Sequence, residues 1–245
     1  MTRYGMVVDL DRCMGCRACM EACKVENATP ETSFFMYVFR FEQGEYPASR
    51  VSFLPRPCMH CDNAPCVKVC PVGARYKRED GIVATDWDRC IGCRYCEVAC
   101  PYGVNSFNWR DPEEAQYLDW SDPVITTAGD GRIPPYRNPA LDEAYGPEQR
   151  KIAGGGHAQG VMEKCTFCVH RVEDGLDPAC VQTCPVRALQ FGDLDDPDSP
   201  AARTLRERSS FTLLEEAGTE PRVHYVGGSP PTDESRQVDA PEVRI

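Results

Sequence analysis

The chain has 245 residues, a formal net charge of −11 and 42% hydrophobic residues, a figure that includes 16 cysteines. The acidic balance argues against a nucleic-acid partner, which needs a basic face, and no apolar run approaches the ~18–20 residues of a membrane span. Without the cysteines the apolar fraction falls to about 36%, thin for a chain of this size, so something besides apolar packing is expected to hold part of it together.

Met1-Thr2-Arg3-Tyr4-Gly5 runs straight into an alternating apolar segment, with no charged-then-apolar leader and no twin arginine. No export signal is therefore expected, and any membrane association is expected to come through a partner. Tyr4 to Asp9 reads as a strand entering a first cysteine quartet, Cys13, Cys16, Cys19 and Cys23, spaced C-x2-C-x2-C-x3-C. Tyr37 to Glu42 and Arg50 to Leu54 read as strands joined around Gln43-Gly44-Glu45. A second quartet follows, Cys58, Cys61, Cys66 and Cys70, spaced C-x2-C-x4-C-x3-C and closed by Pro71. Ala74 to Arg78 and Ile82 to Thr85 flank the hairpin signal Glu79-Asp80-Gly81. They lead into the third quartet, Cys90, Cys93, Cys96 and Cys100, spaced C-x2-C-x2-C-x3-C and closed by Pro101.

Residues 104–159 are different. Asp111-Pro112, Asp122-Pro123, Pro134-Pro135 and Gly154-Gly155-Gly156 punctuate them, and Phe107, Trp109, Tyr117, Trp120, Tyr136 and Tyr145 are scattered between. An irregular segment is expected, packed over the cysteine sites and compatible with a docking surface, where Trp and Tyr are favoured. The fourth quartet is Cys165, Cys168, Cys180 and Cys184, spaced C-x2-C-x11-C-x3-C and closed by Pro185. Residues 229–245 are polar and contain proline, and read as a flexible tail. Short helices are expected to carry the last cysteine of each quartet.

No cysteine is left over from the four quartets. A [4Fe–4S] cube needs four thiolates, one per iron, and three cysteines at two-residue gaps let a short loop wrap three corners of one cube. Disulfides would also use an even count, but C-x2-C-x2-C-x3-C is too crowded to pair sensibly. Zinc sites usually join two C-x2-C knuckles by a longer spacer or add histidine, a pattern only the fourth quartet could imitate in isolation. Cubane clusters are the reading that accounts for all four quartets.

In two-cluster ferredoxins the fourth cysteine of one run ligates the other cluster. Applied here, the neighbouring quartets two and three exchange their last cysteines, leaving quartets one and four to pair across them. Cluster 1 is then expected on Cys13, Cys16, Cys19 and Cys184, and cluster 2 on Cys58, Cys61, Cys66 and Cys100. Cluster 3 is expected on Cys90, Cys93, Cys96 and Cys70, and cluster 4 on Cys165, Cys168, Cys180 and Cys23. The expected fold is α+β, with two ferredoxin-like modules of two clusters each and long irregular loops. Residues 1–54 plus 160–228 form the outer module, 55–103 the module inserted into it, 104–159 the loop and 229–245 the tail.

His60 and His170 lie within or just after quartets two and four, but each quartet already has four thiolates, so structural roles are expected for both; His157 and His224 have no partner readable from sequence. Four oxidised clusters add about −2 each and bring the loaded chain to about −19. In that field the cations beside the quartets, Arg17, Lys24, Arg75, Arg94, Lys164 and Arg171, either serve the surface or raise a neighbouring potential. No G-x-S-x-G, Walker loop or H-E-x-x-H is present, so the chain is expected to move electrons and to catalyse no bond chemistry.

Val8-Asp9-Leu10-Asp11-Arg12-Cys13, Arg56-Pro57-Cys58-Met59-His60-Cys61, Asp88-Arg89-Cys90-Ile91-Gly92-Cys93-Arg94 and Glu163-Lys164-Cys165-Thr166-Phe167-Cys168, with these gaps, resemble the four-cluster iron–sulfur subunits of molybdopterin oxidoreductases. That family includes the subunits of polysulfide, dimethyl sulfoxide and nitrate reductases and of formate dehydrogenase. The resemblance spans about residues 3–226. It implies a molybdenum bis-pterin catalytic subunit facing the outer module and an integral membrane, quinone-reactive subunit facing the middle one. It also implies peripheral membrane attachment through those partners, on the cytoplasmic face or exported with a partner that carries the signal. Some members replace the second cysteine of the third quartet and hold a [3Fe–4S] cluster; Cys93 occupies that position here, which implies four complete cubes. A free soluble polyferredoxin shuttling between redox enzymes is the alternative, disfavoured by the long 104–159 segment. A third, weaker reading is a structural role for cubes that never turn over.

Overall fold

The computed structural model describes residues 2–30, 33–111, 144–153, 157–228, 231–232 and 234–238. In chain order its elements are β1 (Tyr4–Asp9), α1 (Ala18–Asn27), β2 (Tyr37–Gln43), β3 (Arg50–Arg56), α2 (Pro65–Lys68), β4 (Arg75–Lys77), β5 (Val83–Thr85) and α3 (Tyr95–Val98). After these come β6 (Ser106–Phe107), β7 (Met162–Glu163), α4 (Val169–Glu173), α5 (Ala179–Thr183), β8 (Leu189–Asp193), α6 (Pro200–Glu207), β9 (Ser210–Phe211), β10 (Val223–Val226) and β11 (Arg236–Gln237).

The two ends of the described chain meet in one sheet of order β8-β1-β10-β9. β1 pairs antiparallel with β8, from Tyr4 opposite Asp193 to Val8 opposite Leu189, and parallel with β10, from Met6 opposite Val223 to Asp9 opposite Val226. Both faces of β1 are covered, which is why its middle reads as an unbroken apolar run. Met6 and Val8 face the main core, while Val7 packs with Ala201 and Val226 under α6. Ser199 starts α6, accepting from the Ala202 N–H at 3.2 Å, and Pro200 occupies the first turn. A second sheet holds the β2–β3 hairpin with β11 on its edge. β4–β5 and β6–β7 are two-stranded.

The main core runs from β1 through Phe39 and Leu54 of the hairpin to Ile82, Phe167, Phe191 and Tyr225, and eight of the cysteines are buried in it. Two helix pairs sit inside this frame. α1, which carries Cys19 and Cys23, packs on α5, which carries Cys180; α2, which carries Cys66, packs on α3, which carries Cys96.

The helices correct one expectation. Only α1 carries the last cysteine of its quartet; in the others the helix holds the third cysteine and ends before or at the fourth. A proline follows each of those three fourth cysteines, and the residue before a proline is kept out of the helical region; α1 has Lys24 there and continues. Within the expected tail, Arg236 and Gln237 pair with Glu42 and Phe41 of β2, and residues 229–230, 233 and 239–245 lie outside the described residues. Of the 104–159 segment, Phe107 lies in β6 and Tyr145 bridges Arg150, whereas Tyr117, Trp120 and Tyr136 lie outside the described residues.

Candidate iron–sulfur cluster sites

Each quartet opens with the same local turn. The second residue after the first cysteine is left-handed in all four: Gly15 (φ 67°), His60 (φ 44°), Gly92 (φ 66°) and Phe167 (φ 55°). Quartets one and three add a left-handed arginine after the second cysteine, Arg17 and Arg94. Such turns point successive backbone N–H groups into one concavity, where negative charge is favoured. The His60 N–H donates to Cys58 Sγ at 3.5 Å and the Phe167 N–H to Cys165 Sγ at 3.4 Å. At the far ends of the runs the Arg75 N–H reaches Cys70 Sγ at 3.3 Å and the Ala188 N–H reaches Cys184 Sγ at 3.2 Å. The β7 N–H of Met162 donates to Cys90 Sγ at 3.5 Å.

The sulfurs gather across quartets as well as within them. Cys58, Cys61, Cys66 and Cys100 line one cavity with Met59, Val83 and Lys164 on its wall. Cys13, Cys16, Cys19 and Cys184 lie close enough for Cys13 and Cys19 to feel the charge of the others. Cys23, Cys165, Cys168 and Cys180 form a third group, and Asn27 Nδ2 spans it, 3.5 Å from Cys23 Sγ and 3.8 Å from Cys168 Sγ. Cys70 and Cys96 are joined through Arg75, whose Nη2 donates to Cys96 Sγ at 3.3 Å, and Cys90 and Cys93 open the loop that leads to Cys96.

None of the sixteen cysteines is joined in a disulfide. Burial, reinforced by neighbouring cysteines, pushes Cys19 and Cys61 up to about 12 and drives Cys23 and Cys180 well above the ordinary thiol range. Thiols held this high are protonated, so a bound metal must displace their protons. Soft sulfur donors in four groups, amide donors aimed at them and an open volume between four of them suit a multi-iron cluster. Among the described residues, no three His, Cys, Asp or Glu side chains close on a single-ion point, whereas a zinc site draws its sulfurs to ~2.3 Å of one centre.

The groups are arranged in series. Cys19 of the first acts on Cys23, Cys58 acts on Cys165, and Arg75 lies between Cys66 and Cys96. The first group is therefore next to the Cys165 group, that one next to the Cys58 group, and the Cys90 group comes last. His60 and Phe167 stand at the middle junction with rings stacked at 3.8 Å. His60 Nδ1 accepts from the Val83 N–H at 3.0 Å. Burial and then the charges of Lys164, Arg222 and Arg75 hold this imidazole well below its usual range, so it is neutral. His170 pairs with Glu26 at 3.0 Å.

Two features have no counterpart among the expectations from sequence. Asn27 sits four residues after Cys23, one helical turn on, a spacing that could have marked it. His157 bonds Glu163 at 2.6 Å and the Asn27 carbonyl at 2.7 Å, joining positions 130 residues apart, and no local pattern marks such a pair.

A 4Fe-4S dicluster domain family matches residues 49–116 with 151–194, and another 4Fe-4S dicluster domain family matches residues 12–74. Two such matches and sixteen cysteines correspond to four [4Fe–4S] clusters. Similar proteins include the arsenate respiratory reductase iron–sulfur subunit ArrB of a Shewanella species, 40% identical over 91% of this chain and 96% of that protein. The iron–sulfur cluster-binding subunit of the menaquinone reductase of Nitratidesulfovibrio vulgaris is 36% identical, over 91% of this chain and 88% of the relative. Protein NrfC of Escherichia coli is 36% identical, over 91% and 80%. With the cysteine groups, the dicluster matches and these full-length likenesses together, the chain belongs to the family of [4Fe–4S] iron–sulfur subunits of molybdopterin oxidoreductases, non-catalytic electron-transfer components of reductase complexes.

Proposed function

We propose that this subunit conducts electrons between a molybdopterin-containing catalytic subunit and an integral membrane, quinone-reactive subunit. The ligand sets are Cys13, Cys16, Cys19 and Cys184 for cluster 1, and Cys58, Cys61, Cys66 and Cys100 for cluster 2. Cys90, Cys93, Cys96 and Cys70 hold cluster 3, and Cys165, Cys168, Cys180 and Cys23 hold cluster 4. Clusters bound there supply one-electron redox chemistry at potentials set by hydrogen bonds, burial and charge. Residues 1–54 with 160–228 make the outer ferredoxin-like module, which receives 55–103 as an insertion.

The observation that carries this reading is the exposure of the two ends of the series. Cys16 and Cys93, in the first and last groups, are exposed, whereas Cys165, Cys168 and Cys180 of one middle group and Cys58, Cys61 and Cys66 of the other are buried. The last group carries an exposed apolar patch, Ile91, Tyr95, Val98 and Trp109 around Cys93, and the first has Met14 exposed beside Cys16. Large exposed apolar side chains grouped on one surface mark interaction sites. A shuttle would need one exposed cysteine group; exposed cysteines at both ends of a buried series suit a subunit held between partners. Among the described residues no helix is long and apolar enough to cross a membrane, so attachment to the membrane, on whichever side, falls to the partner.

Purification under anaerobic conditions with the partner genes co-expressed tests this. The expected result is a complex with a large molybdenum-containing chain and a polytopic one, and sixteen irons per copy of this subunit. A monomer with no large partner would favour the polyferredoxin alternative, and zinc in place of iron would overturn both.

A further inference from the structure

The six cations beside the quartets have different fates. Arg17 is exposed. Arg94 pairs with Glu97 at 2.8 Å and Arg171 with Glu26 at 3.2 Å. Lys24 is only 2% exposed, but its Nζ lies in its own loop, 2.9 Å from the carbonyls of Pro30 and Ser33, and reaches no second cysteine group. Arg75 and Lys164 remain, each only 2% exposed. Lys164 Nζ bonds the carbonyls of Val83 and Cys165, the latter at 2.9 Å. Arg75 Nη2 bonds Cys96 Sγ and Asn105 Oδ1, at 3.3 and 2.8 Å, while its buried Nε and Nη1 have no hydrogen-bond partner. Among the described residues no carboxylate reaches ion-pair distance of either; Glu163, the buried acid next to Lys164 in sequence, is engaged by His157.

A buried cation without a counter-charge is strongly destabilising, so these two need an anion that protein side chains do not supply. Their positions name it. Lys164 lines the cavity of Cys58, Cys61, Cys66 and Cys100 and reaches the backbone of Cys165 in the neighbouring group. Arg75 bonds Asn105, which lines that cavity, and Cys96 of the next group. The Cys66 sulfur is the one that feels both charges.

We infer that Arg75 and Lys164 are the built-in counter-ions of cluster 2, one in each gap that flanks it, and that together they raise its reduction potential. This rests on the ligand assignment proposed above. An added electron is stabilised by a nearby fixed positive charge, and cluster 2 has one in each gap, sharing Lys164 with cluster 4, which also has Lys24 beside Cys23, and Arg75 with cluster 3. A unit charge roughly 10 Å away at an effective dielectric of about 20 changes the ratio of reduced to oxidised cluster by about tenfold, or ~59 mV for a one-electron couple.

The test is a reductive titration of the purified complex followed by electron paramagnetic resonance, on wild type, Lys164→Met, Arg75→Met and the double variant. Cys66→Ser identifies which signal belongs to cluster 2. The expected result is that this signal moves to lower potential in both single variants, about tenfold in ratio each, and by their sum in the double variant. Lys164→Met moves one neighbouring signal with it and Arg75→Met a different one. Lys164→Arg and Arg75→Lys restore the wild-type titration. Should Arg75→Met fail to accumulate, the Lys164→Met and Lys164→Arg pair decides on the same signal. A cluster 2 signal unmoved while sixteen irons are present overturns the inference alone; a Cys66→Ser variant that alters no single signal overturns the ligand assignment beneath it.

Discussion

Gly15 and Gly92 occupy equivalent left-handed positions, yet their surroundings differ. A Cβ at Gly92 would run into the carbonyl oxygen of Gly160, whereas one at Gly15 would meet the ring of Phe53. A ring can swing aside and a backbone carbonyl cannot, and the left-handed conformation itself costs a non-glycine residue ~1–2 kcal/mol. Gly92→Ala is therefore expected to lower thermal stability of the loaded protein more than Gly15→Ala, and to deplete one cluster's iron. Equal losses in iron analysis and thermal unfolding would contradict this. His157 is fixed by tertiary contacts alone. Burial pulls its pKa down, but the Glu163 carboxylate together with hydrogen bonds to the Asn27 and Ala28 backbone outweighs that, and the net shift is upward. A histidine whose folded value is raised contributes stability fully present below its unfolded value of about 6.5 and lost as pH rises through the folded value. The stability difference between wild type and His157→Gln should therefore shrink from pH 6 towards alkaline pH, as read by denaturant unfolding at a series of pH values; a difference that grows would refute the pairing.

At the scale of elements, the existence of strands is legible in the sequence and their limits less so. β1 is legible in full, because Met6, Val7 and Val8 make an apolar run at the middle of Tyr4–Asp9. β3 extends to Arg56, two residues beyond the expected end, because Arg56 is held by the Tyr102 carbonyl at 2.7 Å and lies 4.5 Å from the Phe39 ring centre. Such contacts are contributed by segments far away in sequence. α6 has no counterpart among the expected elements, although Ser199-Pro200 is a helix start signal. Its capping hydroxyl also donates to the Asp193 carbonyl at 2.6 Å, pinning the helix to the end of β8. Ser199→Ala is expected to cost about 1–2 kcal/mol while the cluster spectra stay unchanged, because α6 covers the face of the sheet turned from the main core. Thermal unfolding monitored beside visible absorbance checks both halves of that statement.

Across the whole molecule, the core and the cysteine groups are one object. Cysteines are interleaved with Met6, Phe39 and Phe167 in the main core, and two buried cations wait on the charge that clusters bring. Stripping the iron is expected to abolish the fixed tertiary packing, seen as loss of near-ultraviolet dichroism, since the folding free energy of such a domain includes its metal binding. An iron-free chain that keeps native dispersion in a nuclear magnetic resonance spectrum would show the core to be self-sufficient. The sixteen cysteines and their division into four quartets are legible from spacing alone, because a short loop around a cube imposes its gaps on the local chain. The series in which the groups stand, the exposure of its two ends and the burial of Arg75 and Lys164 came only with the tertiary structure. They depend on β1 meeting β8 and β10 from the other end of the chain, and a pairing over some two hundred residues leaves no periodic trace in sequence.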